Sequence, residues 1–140
     1  MKRKASAVWR GALKDGKGTI STDSGTLKDT QYSFATRFES GVGTNPEELI
    51  AAAHAGCFAM AFSAELGKVG LTPESISATA TVTLEKTNEG FTVTESHLDV
   101  TAKVPGTDRA KVLEIANAAK AGCPISRLLK ANVTMDAKAL

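Results

Sequence analysis

The stretch NPEELIAAAHAGCFAMAFSAELG, residues 45–67, limits what this chain can fold into more than any other. Pro46 suits a first helical turn, where its missing N–H costs nothing, and Asn45 or Thr44 stands where a helix cap belongs. Glu47 and Glu48 then fall where the helix dipole favours negative charge. From there the pattern predicts a long helix, about Pro46 to Gly67, apolar nearly all round and therefore covered on most sides. Its Ala, Gly and Ser residues allow another backbone to approach closely. A chain of 140 residues has little with which to cover such a helix alone. A second copy of the same helix across a two-fold axis is one solution.

That length suits one compact domain, residues 1–140. Lys and Arg total 17 against 15 Asp and Glu, a formal charge of +2 with the basic residues scattered. With one Trp and one Tyr for stacking, nucleic acid is not an indicated partner. The opening MKRKASAVWRG passes into polar residues without the apolar run of about 7–15 residues that a secretory signal needs. The least polar run, Leu49 to Ala64, falls short of the roughly 20 residues that span a bilayer, so no membrane is expected. A cytoplasmic location follows, and there two cysteines are not a disulfide framework. They are buried filler, or they serve redox, metal or nucleophilic chemistry.

On either side of the long helix the pattern alternates. ASAVWRGAL and TISTDSGTL read as strands separated by the turn KDGKG. QYSFATRFES reads as a further strand, with Tyr32, Phe34 and Phe38 on one face and Arg37 on the other. After Pro73, ISATATVTLEK, the turn TNEG and FTVTESHLDVTAKV form a β-hairpin. The apolar phase of its second strand slips between Val93 and Leu98, so one extra residue, a bulge near Glu95 or Ser96, is required. PGTDRAKVLEIANAAKAG predicts an amphipathic helix burying Val112, Ile115, Ala116 and Ala119. CPISRLLKA starts a short helix with Cys123 just outside it, and NVTMDAKAL closes the chain as a strand. Mixed helix and sheet of this kind is an α+β chain.

Cys57 and Cys123 lie far apart in sequence, so only the fold can pair them. Cys123, at a helix start, has free backbone N–H groups near its sulfur, a setting that favours thiolate. Cys57 lies mid-helix among apolar residues, which suppress reactivity, so it needs a cation from elsewhere to be reactive. An arginine held by a carboxylate would serve, and Arg37 with Glu47 offers such a pair, although spacing alone does not select it. His54, Cys57, His97 and Cys123 are a competing set of zinc ligands, but without a C-x-x-C pair. A Cys57–His54 hydrolase is weaker still, lacking an evident orienting acid or oxyanion loop.

The run RFE…GTNPEELIAAAHAGCFAMAFS, with the distant KAGCPISRLLKANV, resembles the OsmC/Ohr family of organic hydroperoxide reductases, and GKGTISTDSGTL resembles its OsmC branch. The resemblance runs from Trp9 to the last strand. The glycine of AGCF, where alanine is common, is a small departure. The resemblance implies an intertwined homodimer, two long central helices wrapped by antiparallel sheets, with active sites at the subunit interface. It implies that Cys57 is the peroxidatic cysteine, Cys123 the resolving cysteine, Arg37 the residue that stabilises the Cys57 thiolate, and Glu47 the partner of that arginine. The implied activity is reduction of organic hydroperoxides, and more weakly hydrogen peroxide, to alcohols in defence against oxidative and osmotic stress. The Cys57–Cys123 disulfide would be reset by a small dithiol or thiol protein, with no metal or other cofactor. The alternative is a redox-sensing or stress-binding protein using the same cysteines without efficient turnover. Glu47 precedes Cys57 by ten residues, about 15 Å along a helix, too far for both to serve one arginine directly. Either the first turn bends away, or the arginine–glutamate pair reaching Cys57 comes from the other subunit, and the resemblance implies the second. Phe58, Met60 and interface aromatics offer an apolar lining for the hydrocarbon of a bulky peroxide, but core packing accounts for each of them and none is assigned as a binding residue.

Overall fold

A computed structural model describes residues Met1–Leu140. The chain divides into two compact units, Met1–Leu49 and Ile50–Leu140. The long helix α2 (Pro46–Lys68) begins in the last residues of the first.

Unit 1 is a three-stranded antiparallel sheet, β1 (Ala5–Arg10), β2 (Lys17–Thr22) and β3 (Thr30–Tyr32), followed by the short helix α1 (Phe34–Phe38). The first two strands and their turn follow the sequence reading. QYSFATRFES does not: the strand ends at Tyr32 and Arg37 stands on a helix. The cause is a capping box, in which the Ser33 hydroxyl accepts from the Thr36 N–H at 3.3 Å while the Ser33 N–H donates to Thr36 Oγ1 at 2.8 Å. Two helix-end donors are satisfied reciprocally, and the alternation of aromatic residues is outweighed. Phe34 and Phe38 consequently meet at i and i+4, with ring centroids 4.8 Å apart. Asn45 caps α2, accepting from the Glu48 N–H at 2.8 Å, and its amide also donates to the Thr36 carbonyl at 3.0 Å. One side chain thereby fixes α1 against the start of α2.

Unit 2 packs most of α2, α3 (Arg109–Gly122) and α4 (Pro124–Leu128) with a sheet ordered β4 (Ser75–Thr87), β5 (Gly90–Lys103), β6 (Asn132–Ala139). β4 and β5 are the expected hairpin. Thr83 pairs with Glu95 and Leu84 with Val93, leaving Thr94 as the additional residue. Beyond the bulge, Ser96, Leu98, Val100 and Ala102 alternate onto the buried face. β6 runs parallel to β5, so this sheet is mixed rather than antiparallel throughout. α3 buries the four residues its periodicity indicated, capped by Asp108, whose carboxylate accepts from the Lys111 N–H. The core joins Phe58, Phe62 and Leu66 of α2 to Leu98, Val100 and Ala102 of β5, to the buried residues of α3, and to Cys123. By length and composition α2 is apolar enough to cross a bilayer, a longer run than its sequence suggested, but here one of its faces is seated in this core. Its other face, with Ala52, Ala53, Gly56, Met60, Ser63, Ala64 and Gly67, is exposed.

Gly18 carries a close approach in unit 1. It pairs with Trp9 on one side and Tyr32 on the other, and those rings close over it with centroids 5.4 Å apart. A β-carbon at Gly18 would lie 2.3 Å from Tyr32 and 2.8 Å from Trp9. Gly18→Ala is expected to displace both rings, cost about 1–3 kcal/mol, and shift the emission of Trp9, the single tryptophan. Thermal unfolding and fluorescence check this; an unchanged spectrum and midpoint would mean the rings do not depend on the gap.

Candidate active site

In unit 1, α1 aims Arg37 at Glu47 in the first turn of α2. Arg37 Nη2 donates to Glu47 Oε1 at 2.8 Å, and Arg37 Nε lies 3.2 Å from each carboxylate oxygen. Two nitrogens on one carboxylate fix the plane of the guanidinium as well as its position. Its Cζ lies 5.3 Å from the centroid of the Phe38 ring, so an aromatic face also supports it. Glu47 is 13% exposed and Arg37 38%, which leaves the guanidinium open on its far side. Beside it lies a pocket of about 250 Å³ lined by Trp9, Leu13, Tyr32, Ser33, Phe34, Arg37, Phe38 and Pro46. Arg37 is its one charged residue.

In unit 2, the fold brings the two cysteines together. Both are free thiols; Cys123 is fully buried and Cys57 partly so. Cys57 has its pKa raised, first by burial and also by the neighbouring Cys123 thiol. The backbone N–H of Ile125, at the start of α4, hydrogen-bonds the Cys57 sulfur and works in the opposite direction. The helix start that the sequence associated with Cys123 therefore serves Cys57.

His54, one turn before Cys57, is completely buried. Its Nδ1 lies 2.7 Å from Ser96 Oγ on β5, and its Nε2 2.8 Å from Ser126 Oγ on α4. A neutral imidazole has one donor and one acceptor nitrogen, and two hydroxyls can match them in either tautomer. Burial holds the His54 pKa below the ordinary imidazole value. The zinc set of His54, Cys57, His97 and Cys123 does not converge, because both His54 nitrogens are engaged and His97 alternates to the opposite sheet face from Ser96. There His97 Nδ1 lies 2.6 Å from Thr134 Oγ1, and its Nε2 lies 3.2 Å from Asp136 and 3.5 Å from Asp99. Ligand atoms of His97, Asp99 and Asp136 lie within 4.8 Å of one another, close enough to hold a cation on this open face.

Residues 39–138 match the model of the OsmC-like protein family. Peroxiredoxin OsmC of Escherichia coli (strain K12) is 52% identical over 134 residues, covering 96% of this chain and 94% of that protein. The organic hydroperoxide resistance protein OhrB of Bacillus subtilis (strain 168) is 29% identical over 117 residues, 83% of this chain and 84% of OhrB. The OhrB crystal structure aligns with a TM-score of 0.69 at 27% identity, covering 98% of each chain. An OsmC-like protein of unknown function from Vibrio cholerae aligns with a TM-score of 0.76 at 18% identity over 98% of this chain and 99% of that one, a likeness of fold. This chain belongs to the OsmC family.

Of the residues singled out in the sequence, Arg37 meets Glu47 and Cys57 meets Cys123. Phe58 is fully buried in the core, and Met60 is 76% exposed. Sequence reasoning missed Ser96, Ser126, the Ile125 N–H and the aromatic pocket of unit 1. The phase slip before Leu98 was the one sequence signal that could have turned Ser96 inward.

The buried imidazole makes a prediction about stability. The unfolded chain protonates His54 near 6.5, and the folded chain only at lower pH. Between those values the unfolded state holds more protons, so stability falls as pH drops below about 6.5, by at most about 1.4 kcal/mol per unit. Above that range the contribution is complete. Denaturant unfolding from pH 7.5 to 5.5, compared with His54→Gln, checks this: the wild type should lose stability more steeply than the variant.

Proposed function

We propose that this chain is a thiol-dependent peroxidase that reduces organic hydroperoxides, and more weakly hydrogen peroxide, to alcohols, with Cys57 as the attacking thiolate. The observation that carries the reading is the seating of Cys57 against Cys123 and the Ile125 N–H. The names of the relatives, a peroxiredoxin and an organic hydroperoxide resistance protein, support the same chemistry.

In the first step the Cys57 thiolate attacks the distal oxygen of ROOH. The O–O bond breaks, RO⁻ leaves and takes a proton to become the alcohol, and Cys57 becomes a sulfenic acid. In the second step the Cys123 sulfur attacks Cys57 Sγ. An S–S bond forms, the S–O bond breaks, and hydroxide leaves with the Cys123 proton as water. A small dithiol or thiol protein then reduces the Cys57–Cys123 disulfide by exchange. Free cysteines suit the reducing cytoplasm, where we place the protein.

The thiolate requires more than one N–H, because burial opposes the charge. We assign the missing cation to Arg37, oriented by Glu47, delivered to Cys57 from a second copy of the chain. Glu47 and Cys57 are ten residues apart on α2, about 15 Å along it, and the exposed face of small residues on α2 suits close packing with its symmetry mate. In such a homodimer the pocket beside Arg37 would hold the hydrocarbon of the peroxide, its polar end at the guanidinium.

With cumene hydroperoxide and a dithiol, the wild type should turn over and Cys57→Ser should fall to background. Arg37→Met should lower the rate by about 10²-fold and raise the thiol pKa measured from the pH dependence of alkylation. One oxidation without turnover would identify a sensor instead. A purely monomeric species in sedimentation would overturn the two-copy arrangement.

A further inference from the structure

His54 is a fully buried ionisable residue that the peroxidase steps above do not use. Its position relative to the cysteines is specific. On α2, His54 precedes Cys57 by three residues; at the start of α4, Cys123 precedes Ser126 by three. The two segments therefore meet at two successive rungs: Cys57 against Cys123 and the Ile125 N–H, and His54 against the Ser126 hydroxyl at 2.8 Å. The other imidazole nitrogen is tied at 2.7 Å to Ser96, which is itself fully buried on β5. The imidazole thus bridges the sheet and α4 from a rigid helix.

α4 needs such a tie. It has five residues, none of them buried, and Cys123 makes no side-chain cap for it. Ile125 lends partial packing against the core. A helix this short has little cohesion of its own, so the position of the Cys123 segment depends on what fastens it. The second chemical step is sensitive to that position, because Cys123 must approach the Cys57 sulfur opposite the departing oxygen.

We propose that His54 is a positioning residue for disulfide closure: through Ser126 it holds the Cys123 segment in register with Cys57. The inference rests on the reading of Cys57 and Cys123 as a redox pair. It separates the two steps, because attack on the peroxide needs the charged Cys57 sulfur but no approach of Cys123, whereas condensation needs the distance and angle between the sulfurs.

Reduced protein mixed rapidly with one equivalent of cumene hydroperoxide gives both rates, the first from peroxide loss and the second from loss of the second thiol. Dimedone reports the sulfenic acid that accumulates between them. Ser126→Ala, a small change on a partly exposed helix, should slow disulfide closure by about tenfold or more and peroxide loss far less, because only the Ile125 N–H of this segment supports the first step. A dimedone adduct should build up on Cys57. Ser126→Thr, which keeps the hydroxyl, should restore closure. The proposal is overturned if Ser126→Ala closes the disulfide at the wild-type rate, if both steps slow alike, or if threonine does not restore closure. A wild type that consumes peroxide without losing two thiols overturns the redox-pair reading itself, and this inference with it.

Discussion

The proposed chemistry turns on one constraint, a negative charge on the Cys57 sulfur. The same burial that seats α2 in the core of unit 2 opposes ionisation of the thiol that α2 carries. A helix this apolar secures packing and loses polarity at once. The fold answers in part with a backbone N–H, which adds no side chain to the core and needs no counter-ion of its own. On the proposed reading a guanidinium is the stronger answer: it keeps its charge at any working pH, and its planar donors leave one edge free when a carboxylate holds another. Arg37 on Glu47 is arranged in that way.

Pairing two cysteines from distant parts of the chain is a second problem, and unit 2 solves it with polar groups buried in matched sets. The bulge at Thr94 turns Ser96 inward, Ser96 engages His54, and His54 engages Ser126. A buried hydroxyl or imidazole without a partner would be costly, but here each has one. Neutral imidazole suits the place because one ring presents a donor and an acceptor on opposite sides, so it can link a strand to a helix without adding charge.

Unit 1 reaches its arrangement by local means. Gly18 leaves room between Trp9 and Tyr32, the Ser33–Thr36 capping box ends the strand, and Asn45 joins α1 to the first turn of α2. The misreading of QYSFATRFES is instructive. Alternating aromatics point to a strand, yet two hydrogen bonds at the helix start outweigh the alternation and carry Arg37 onto α1, within reach of Glu47.

What residue order determined here is whatever depends on near neighbours. The long helix, the buried face of α3, the hairpin and its bulge all follow from periodicity, because packing on one side imposes a repeat on the sequence. The motif around each cysteine was legible too, through its resemblance to a family, although no spacing rule joined one cysteine to the other. Tertiary structure alone decided that β6 lies parallel to β5, that the start of α4 serves Cys57, and that His54 bridges two serines. Those facts depend on residues from α2, β5 and α4 converging in space, and side chains that meet only after the core has formed leave no repeat along the chain.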